Sequence, residues 1–187
     1  TARRLVAALE SHPISVHVLT HAHFDHQGGS LAVCDAFGAP LWCGAGDRDA
    51  AETGDWSRLL PHPDGWLARQ ARRLGSRGYP VARVLKDGDE VGDLTVIEAP
   101  GHTPGHLAFW RERDRVLILG DVLFHRNPVT YRSGLTEPFR FATFDPSMNR
   151  ESARRLAALE PRIVCFGHGG PLTETGRFQD FVADLAH

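Results

Sequence analysis

Cysteine is scarce in this chain: three residues among 187, with no CxxC pair. Cys34, Cys43 and Cys165 are odd in number and widely spaced, which argues against a disulfide framework and for a reducing, cytoplasmic setting. No apolar run approaches the ~20 residues that a membrane-crossing helix needs. Charge is balanced as well, with 21 Lys and Arg against 23 Asp and Glu. No basic field therefore draws the chain to nucleic acid or anionic lipid, and a small molecule is the expected partner. Low-complexity sequence and internal repeats are absent, and hydrophobic residues at 42% are enough for a packed core. What is abundant is histidine, at 11 residues, and its clustering carries the functional reading.

Apolar spacing predicts a helix over Ala2 to Glu10 and a buried strand over Ile14 to Thr20. A polar loop, His21 to Gly29, then leads into a helix over Leu31 to Phe37, with Ser30 as cap and Gly38 as stop. Pro40 to Cys43 reads as a strand. The glycine- and proline-rich stretch 44–80 reads as a variable insertion with one amphipathic helix, about Gly65 to Leu74. Strands follow at Val81–Leu85, Val91–Ala99, His106–Arg111, Val116–Leu119 and Ile163–Phe166, with an Asp-Gly turn over 86–89. A long loop over 121–145 precedes a helix that opens at Pro146 and sets Ala153, Leu156 and Leu159 on one face. A last helix covers about Thr175 to Leu185. Helix–strand alternation, then a run of strands, then helix–strand–helix suggest layered sheets flanked by helices in one domain spanning 1–187.

The sharpest signal is His21-Ala22-His23-Phe24-Asp25-His26, directly after the first strand. In extended backbone, positions 21, 23 and 25 project to one side, and His26 serves a neighbouring point once the loop bends. Three imidazoles and a carboxylate within six residues are a donor set suited to zinc. The cluster cannot fill two metal spheres alone, so further donors are expected elsewhere. They recur where strands end beside glycine: His102 and His106 in Gly101-His102-Thr103-Pro104-Gly105-His106, Asp121 after Gly120, and His168 after Gly167.

These four segments, in this order, resemble the metallo-β-lactamase superfamily. The resemblance implies an α/β fold, the αβ/βα four-layer sandwich, with the opening N-terminal strands missing from this chain. It also implies a two-metal site at one edge. His21, His23 and His102 would hold the first ion, Asp25, His26 and His168 the second, and Asp121 would bridge them. His106 would orient a ligand by hydrogen bond. The implied cofactor is two Zn²⁺, with iron or manganese as alternatives. The implied activity is hydrolysis of a small ester, thioester or lactone by a dinuclear-zinc-bound hydroxide, with Asp25 as the catalytic proton acceptor. The alternative within the same fold is a mononuclear iron enzyme that oxidises sulfur compounds, which needs only two histidines and one carboxylate.

Gly120-Asp121-Val122-Leu123-Phe124 looks like the glyoxalase II segment. Acyl-homoserine lactonases carry tyrosine where this chain has Phe124. Phe124, Tyr131, Phe139, Phe141 and Phe144 alternate with Arg126, Arg132 and Arg140 through 121–145. The sequence favours these aromatics as anchors that pin a long loop to the core, over a second role in binding an acyl chain and an anionic head group. Trp56 and Trp66 read equally as pocket wall or local packing.

Overall fold

A computed structural model describes residues 2–73, 75 and 77–185. The elements in chain order are α1 (Ala2–Leu9), β1 (His17–Val18), α2 (Phe24–Gln27), α3 (Ser30–Phe37), β2 (Leu41–Gly44), α4 (Arg48–Thr53), α5 (Trp66–Arg73), β3 (Val81–Leu85), β4 (Glu90–Val91), β5 (Leu94–Glu98), β6 (Leu107–Arg111), β7 (Val116–Gly120), β8 (Phe124–Arg126), β9 (Ser133–Thr136), α6 (Pro146–Ala157), β10 (Ile163–Phe166) and α7 (Gly176–Ala183). Short 3₁₀ turns sit at Ala45–Asp47, Trp56–Leu59 and Arg140–Ala142.

Two sheets stack between helices. The first is parallel, in the order β1-β2-β3, and the second runs β10-β7-β6-β5-β4. In the second, β10 and β7 are parallel while β6 runs antiparallel to both β7 and β5, so β5, β7 and β10 share one direction. The side chains explain the layering. Along β6, Leu107 and Phe109 face the core between the sheets, whereas Ala108 and Trp110 join the core beneath α6 and α7. Along β7, Leu117 and Leu119 take the helix side and Ile118 the sheet side. In β2, Leu41 and Cys43 pack with α3, α4 and α5 residues while Trp42 turns to the other sheet. Strands buried on both faces must be apolar at every position, and that is why these segments show no polar alternation. Helices therefore cover both outer faces of the sheet pair, as the four-layer reading requires.

Several expectations need correction. The first strand spans only His17–Val18, although Leu19 N–H still donates to Trp42 O at 3.0 Å, because Ile14–Val16 find no partner strand. Ser30 is the first residue of α3 and not its cap; Gly29 takes the cap position. The Ser30 hydroxyl instead meets His17 Nε2 at 2.9 Å, and Gly38 ends the helix in the left-handed region, as read. The turn at 86–89 does form, but it carries the chain from one sheet to the other, since β3 pairs with β2 and β4 with β5. Val91–Ala99 divides at Gly92-Asp93, Leu159 lies beyond the end of α6, and the long loop contains the β8–β9 hairpin. Segment 44–80 holds α4 and two 3₁₀ turns besides α5, and the expected helix end at Leu74 lies outside the described residues. All three cysteines are free, Cys34 and Cys43 buried and Cys165 half-buried. Among the described residues, no helix is long and apolar enough to cross a membrane.

Candidate metal centre

The donor residues leave the sheets at one edge, because β5, β7 and β10 all end there. His102 and His106 follow β5, Asp121 follows β7 and His168 follows β10. His21 and His23 follow β1, and Leu107 N–H donating to Thr20 O at 2.7 Å joins that loop to the second sheet. Asp25 departs from the extended arrangement expected of it, while His26 is reached by a bend, as read. They sit on α2, a single helical turn begun at Phe24, so the turn and not strand alternation aims them. Gln27 Nε2 donates to Ala22 O at 2.8 Å and braces that turn.

One carboxylate oxygen lies at the focus. Asp121 Oδ2 is 3.2 Å from His26 Nε2, 3.2 Å from His168 Nε2, 3.7 Å from His21 Nε2 and 3.7 Å from His102 Nε2. Asp25 Oδ2 stands 3.2 Å from the same His168 nitrogen and 3.8 Å from His26 Nε2. On the other side, His23 Nδ1 and His102 Nε2 approach to 3.0 Å. Three donor groups meet the spacing of a cation site: His21, His23 and His102; His21, His26 and Asp121; and Asp25, His26 and His168. All seven expected donors are thus brought together. His106 is set behind them, its Nε2 accepting the Asp121 backbone N–H at 3.0 Å.

Buried polar atoms nearly always find partners. Here His21 Nε2, His23 Nε2, His26 Nε2 and Asp121 Oδ1 are buried with no hydrogen bond. Burial first, then neighbouring imidazoles, holds His21 and His102 well below the usual histidine range, and burial takes His23 down to about 4. These rings are neutral at pH 7 and offer lone pairs. Burial opposes ionisation of Asp121, but the imidazoles of His168 and His26 against its carboxylate prevail and hold it well down. Three neutral imidazoles, His21, His23 and His102, converging beside an ionised carboxylate fit a divalent cation.

Glycine makes room for the cluster. A Cβ on Gly167 would collide with Asp121 Oδ1 and lie 2.8 Å from His26 Cε1. Gly167→Ala is therefore expected to displace Asp121 and cut metal content and turnover together while the melting temperature of the chelated protein barely moves. Elemental analysis beside a thermal melt checks this.

Sequence reasoning missed Asp47, which lies in the stretch read as an insertion. Its buried carboxylate accepts from Ala22 N–H (2.8 Å), Thr103 Oγ1 (2.8 Å) and Gly105 N–H (2.7 Å). One side chain thus ties the His21–His23 loop to the His102–His106 loop. The surrounding glycines were the available signal, since a Cβ on Gly44 or Gly46 would strike the Pro104–Gly105 backbone.

A cavity of about 690 Å³ opens above the donors, and Asp25, Asp121 and His168 form part of its floor. The aromatic residues of 121–145 divide between the two roles considered. Phe124 is buried edge-on to His168 and His102, as an anchor should be. Tyr131, Phe139 and Phe141 line the cavity, Phe139 while also packing edge-on against Phe124 as an anchor does, and the exposed Tyr131 and Phe141 depart from the anchor reading. Trp56 both packs on His23 and Phe24 and forms wall, while Trp66 is 67% exposed and lies outside the cavity lining.

Protonation predicts the stability profile of the chelated protein. Burial lowers His106 to about 3 and His23 to about 4, with His21 and His102 also low. The unfolded chain binds these protons near 6.5, so their contribution is complete above that pH and is lost as pH falls. His168 acts oppositely: Asp121 and Asp25 raise it to about 10, so its share is lost as pH climbs from 6.5 toward that value. Asp47, raised by burial to about 6, loses its share between 3.8 and 6, but it is one group against four. Urea midpoints of the chelated protein at about pH 5, 6.5 and 9 are expected to peak at the middle value.

A histidine–aspartate cluster at the open edge of an αβ/βα sandwich defines a class, and comparison with known proteins agrees. The profile described as the metallo-beta-lactamase superfamily matches residues 5–168, and the chain belongs to that superfamily. It is 27% identical over 193 aligned residues to a probable metallo-hydrolase, YflN, of Bacillus subtilis, covering 95% of this chain and 72% of that one. It is 29% identical to the hydroxyacylglutathione hydrolase GloC of Haemophilus influenzae, covering 92% and 77%. Among solved structures it is similar to TTHA1623 in a di-iron-bound form, with TM-score 0.73, 28% identity and coverage of 97% and 85%.

Proposed function

We propose that the protein is a dinuclear metallo-hydrolase acting on a small ester, thioester or lactone. The observation that carries this reading is Asp121 Oδ2, set within 3.7 Å of four imidazole nitrogens at the floor of a cavity. His21, His23 and His102 would hold one ion, Asp25, His26 and His168 the other, and Asp121 would join the two. Such a pair supplies a water activated at neutral pH and Lewis acidity for the scissile carbonyl.

The protein residues do the rest. Asp25 is the partly exposed carboxylate of the set and faces the cavity, so it is placed to take a proton during attack. Its carboxyl is ready for this: burial would raise it, but the His168 imidazole prevails and keeps it ionised. His106 fixes the Asp121 backbone, and Thr143 Oγ1, 3.3 Å from His102 Nδ1, orients that ring. Phe124 shields the cluster from bulk water on one flank.

Support for the hydrolase over the mononuclear iron oxygenase comes from the complete set of seven donors, since the oxygenase requires three. Metal analysis combined with a panel of thioesters, lactones and aryl esters tests the proposal. About two ions per chain with hydrolysis abolished by chelation is the expected result. One iron per chain with oxygen consumption would refute it.

A further inference from the structure

The wall of the cavity above the donors is mostly aromatic and aliphatic, and among the described residues that line it Arg126 is the one cation apart from the histidines. Arg126 is exposed, and no hydrogen bond or ion pair holds its guanidinium among the described residues. Its backbone, in contrast, is fixed. The N–H groups of His125 and Arg126 both donate to His168 O at 3.0 Å, so this arginine is rooted directly beside a candidate metal donor. An unpaired guanidinium held at the edge of an apolar chamber is a fork without its carboxylate.

The opposite chemistry lines the rest of the mouth. Phe139 and Phe141 stack with centroids 5.2 Å apart and planes 9° from parallel. Phe141 is 59% exposed and Tyr131 74% exposed, so large aromatic faces stand in water around one opening. Scattered exposed apolar residues need no explanation, but a contiguous set around a concave site marks a place that binds.

Resting on the hydrolase reading above, we propose that the substrate is amphipathic: an ester or thioester with an aryl or medium-length alkyl group and a carboxylate on the same molecule. The apolar part lies on Phe139, Phe141 and Tyr131. The carboxylate meets Arg126, which orients the scissile carbonyl toward the Asp25–His168 side of the donor cluster. A neutral hydrophobic substrate would use the aromatic wall and leave the guanidinium unanswered. A small anion without an apolar part would leave the aromatic faces wet.

Calorimetry on the metal-loaded protein tests the assignment without relying on turnover. The probes are 4-phenylbutyrate and its neutral amide, which share the aryl chain and differ in charge. Wild type is expected to bind the acid about tenfold more tightly than the amide, the scale of a charge-assisted hydrogen bond. In Arg126→Gln that preference is expected to fall to near unity, and Phe141→Ser is expected to weaken both probes by a similar factor. A thermal melt of each variant checks its fold; Arg126 has no side-chain partner to lose. An acid-to-amide ratio unchanged in Arg126→Gln would show the carboxylate going to the metal ions and overturn the proposal. Failure of both probes to bind would overturn it too. If the probes bind as expected while no ester or thioester is cleaved, the ligand class stands and the hydrolase reading falls.

Discussion

Asp121→Ala is expected to lose one of two bound ions and to reduce turnover by at least on the order of 10³-fold. The carboxylate is buried, with 3% of its side chain exposed, and its Oδ2 faces imidazoles from both halves of the site. Removing it takes away the one anion shared by the two candidate positions, so the mutual repulsion of two dications is no longer offset. The first position keeps three neutral imidazoles and holds its ion; the second loses most. Asp121→Asn keeps the shape without the charge and is expected to fail in the same way. Replacing His106 is expected to cost less, on the order of 10–100-fold, because it acts only through the Asp121 backbone. Metal content and kcat for the three variants decide the matter. Two ions and normal turnover in Asp121→Ala would require a different ligand map.

The second large effect is expected on stability. Asp47→Ala leaves Ala22 N–H, Thr103 Oγ1–H and Gly105 N–H buried without their acceptor. Each abandoned buried donor costs about 1–3 kcal/mol, so the variant is expected to lose several kcal/mol of folding stability. Asp47→Asn rescues only part, since its amide group meets a donor where an acceptor is needed. Metal affinity should fall as well, because the His21–His23 and His102–His106 loops are no longer held at fixed separation. Urea denaturation with and without chelator separates the two effects. A chelated Asp47→Ala protein as stable as chelated wild type would show that the tie carries no folding energy.

Legibility differed among these residues for physical reasons. His21, His23, Asp25 and His26 stood out because four donors fall within six residues after an apolar strand, and His102, Asp121 and His168 because each follows a strand end beside glycine, where strands running the same way converge. The paths of Asp25 and His26 did not, because four residues of helix are too short to leave a periodic signature. Asp47 resembled an ordinary turn or cap residue. Its partners lie 25, 56 and 58 positions away, a separation that no local pattern encodes. The β6 and β7 strands were legible from their unbroken apolar runs, and those runs followed from burial on both faces. The β8–β9 hairpin was hidden by Asn127, Pro128 and Gly134, residues unfavourable to strands, since it sits outside the main sheets at the cavity mouth.

The compactness of His21-Ala22-His23-Phe24-Asp25-His26 also matters when the protein is not folded. Three imidazoles and a carboxylate in six consecutive residues form a chelating peptide in their own right, whereas the remaining donors join only after the sheets have closed. Zinc in excess therefore has a foothold on the denatured chain as well as on the native one. By mass action, the gain in melting temperature on adding metal falls short of what native-state affinity alone implies. The same foothold gives refolding a choice of ion early, so the metal present as the chain collapses has an advantage over one supplied afterwards.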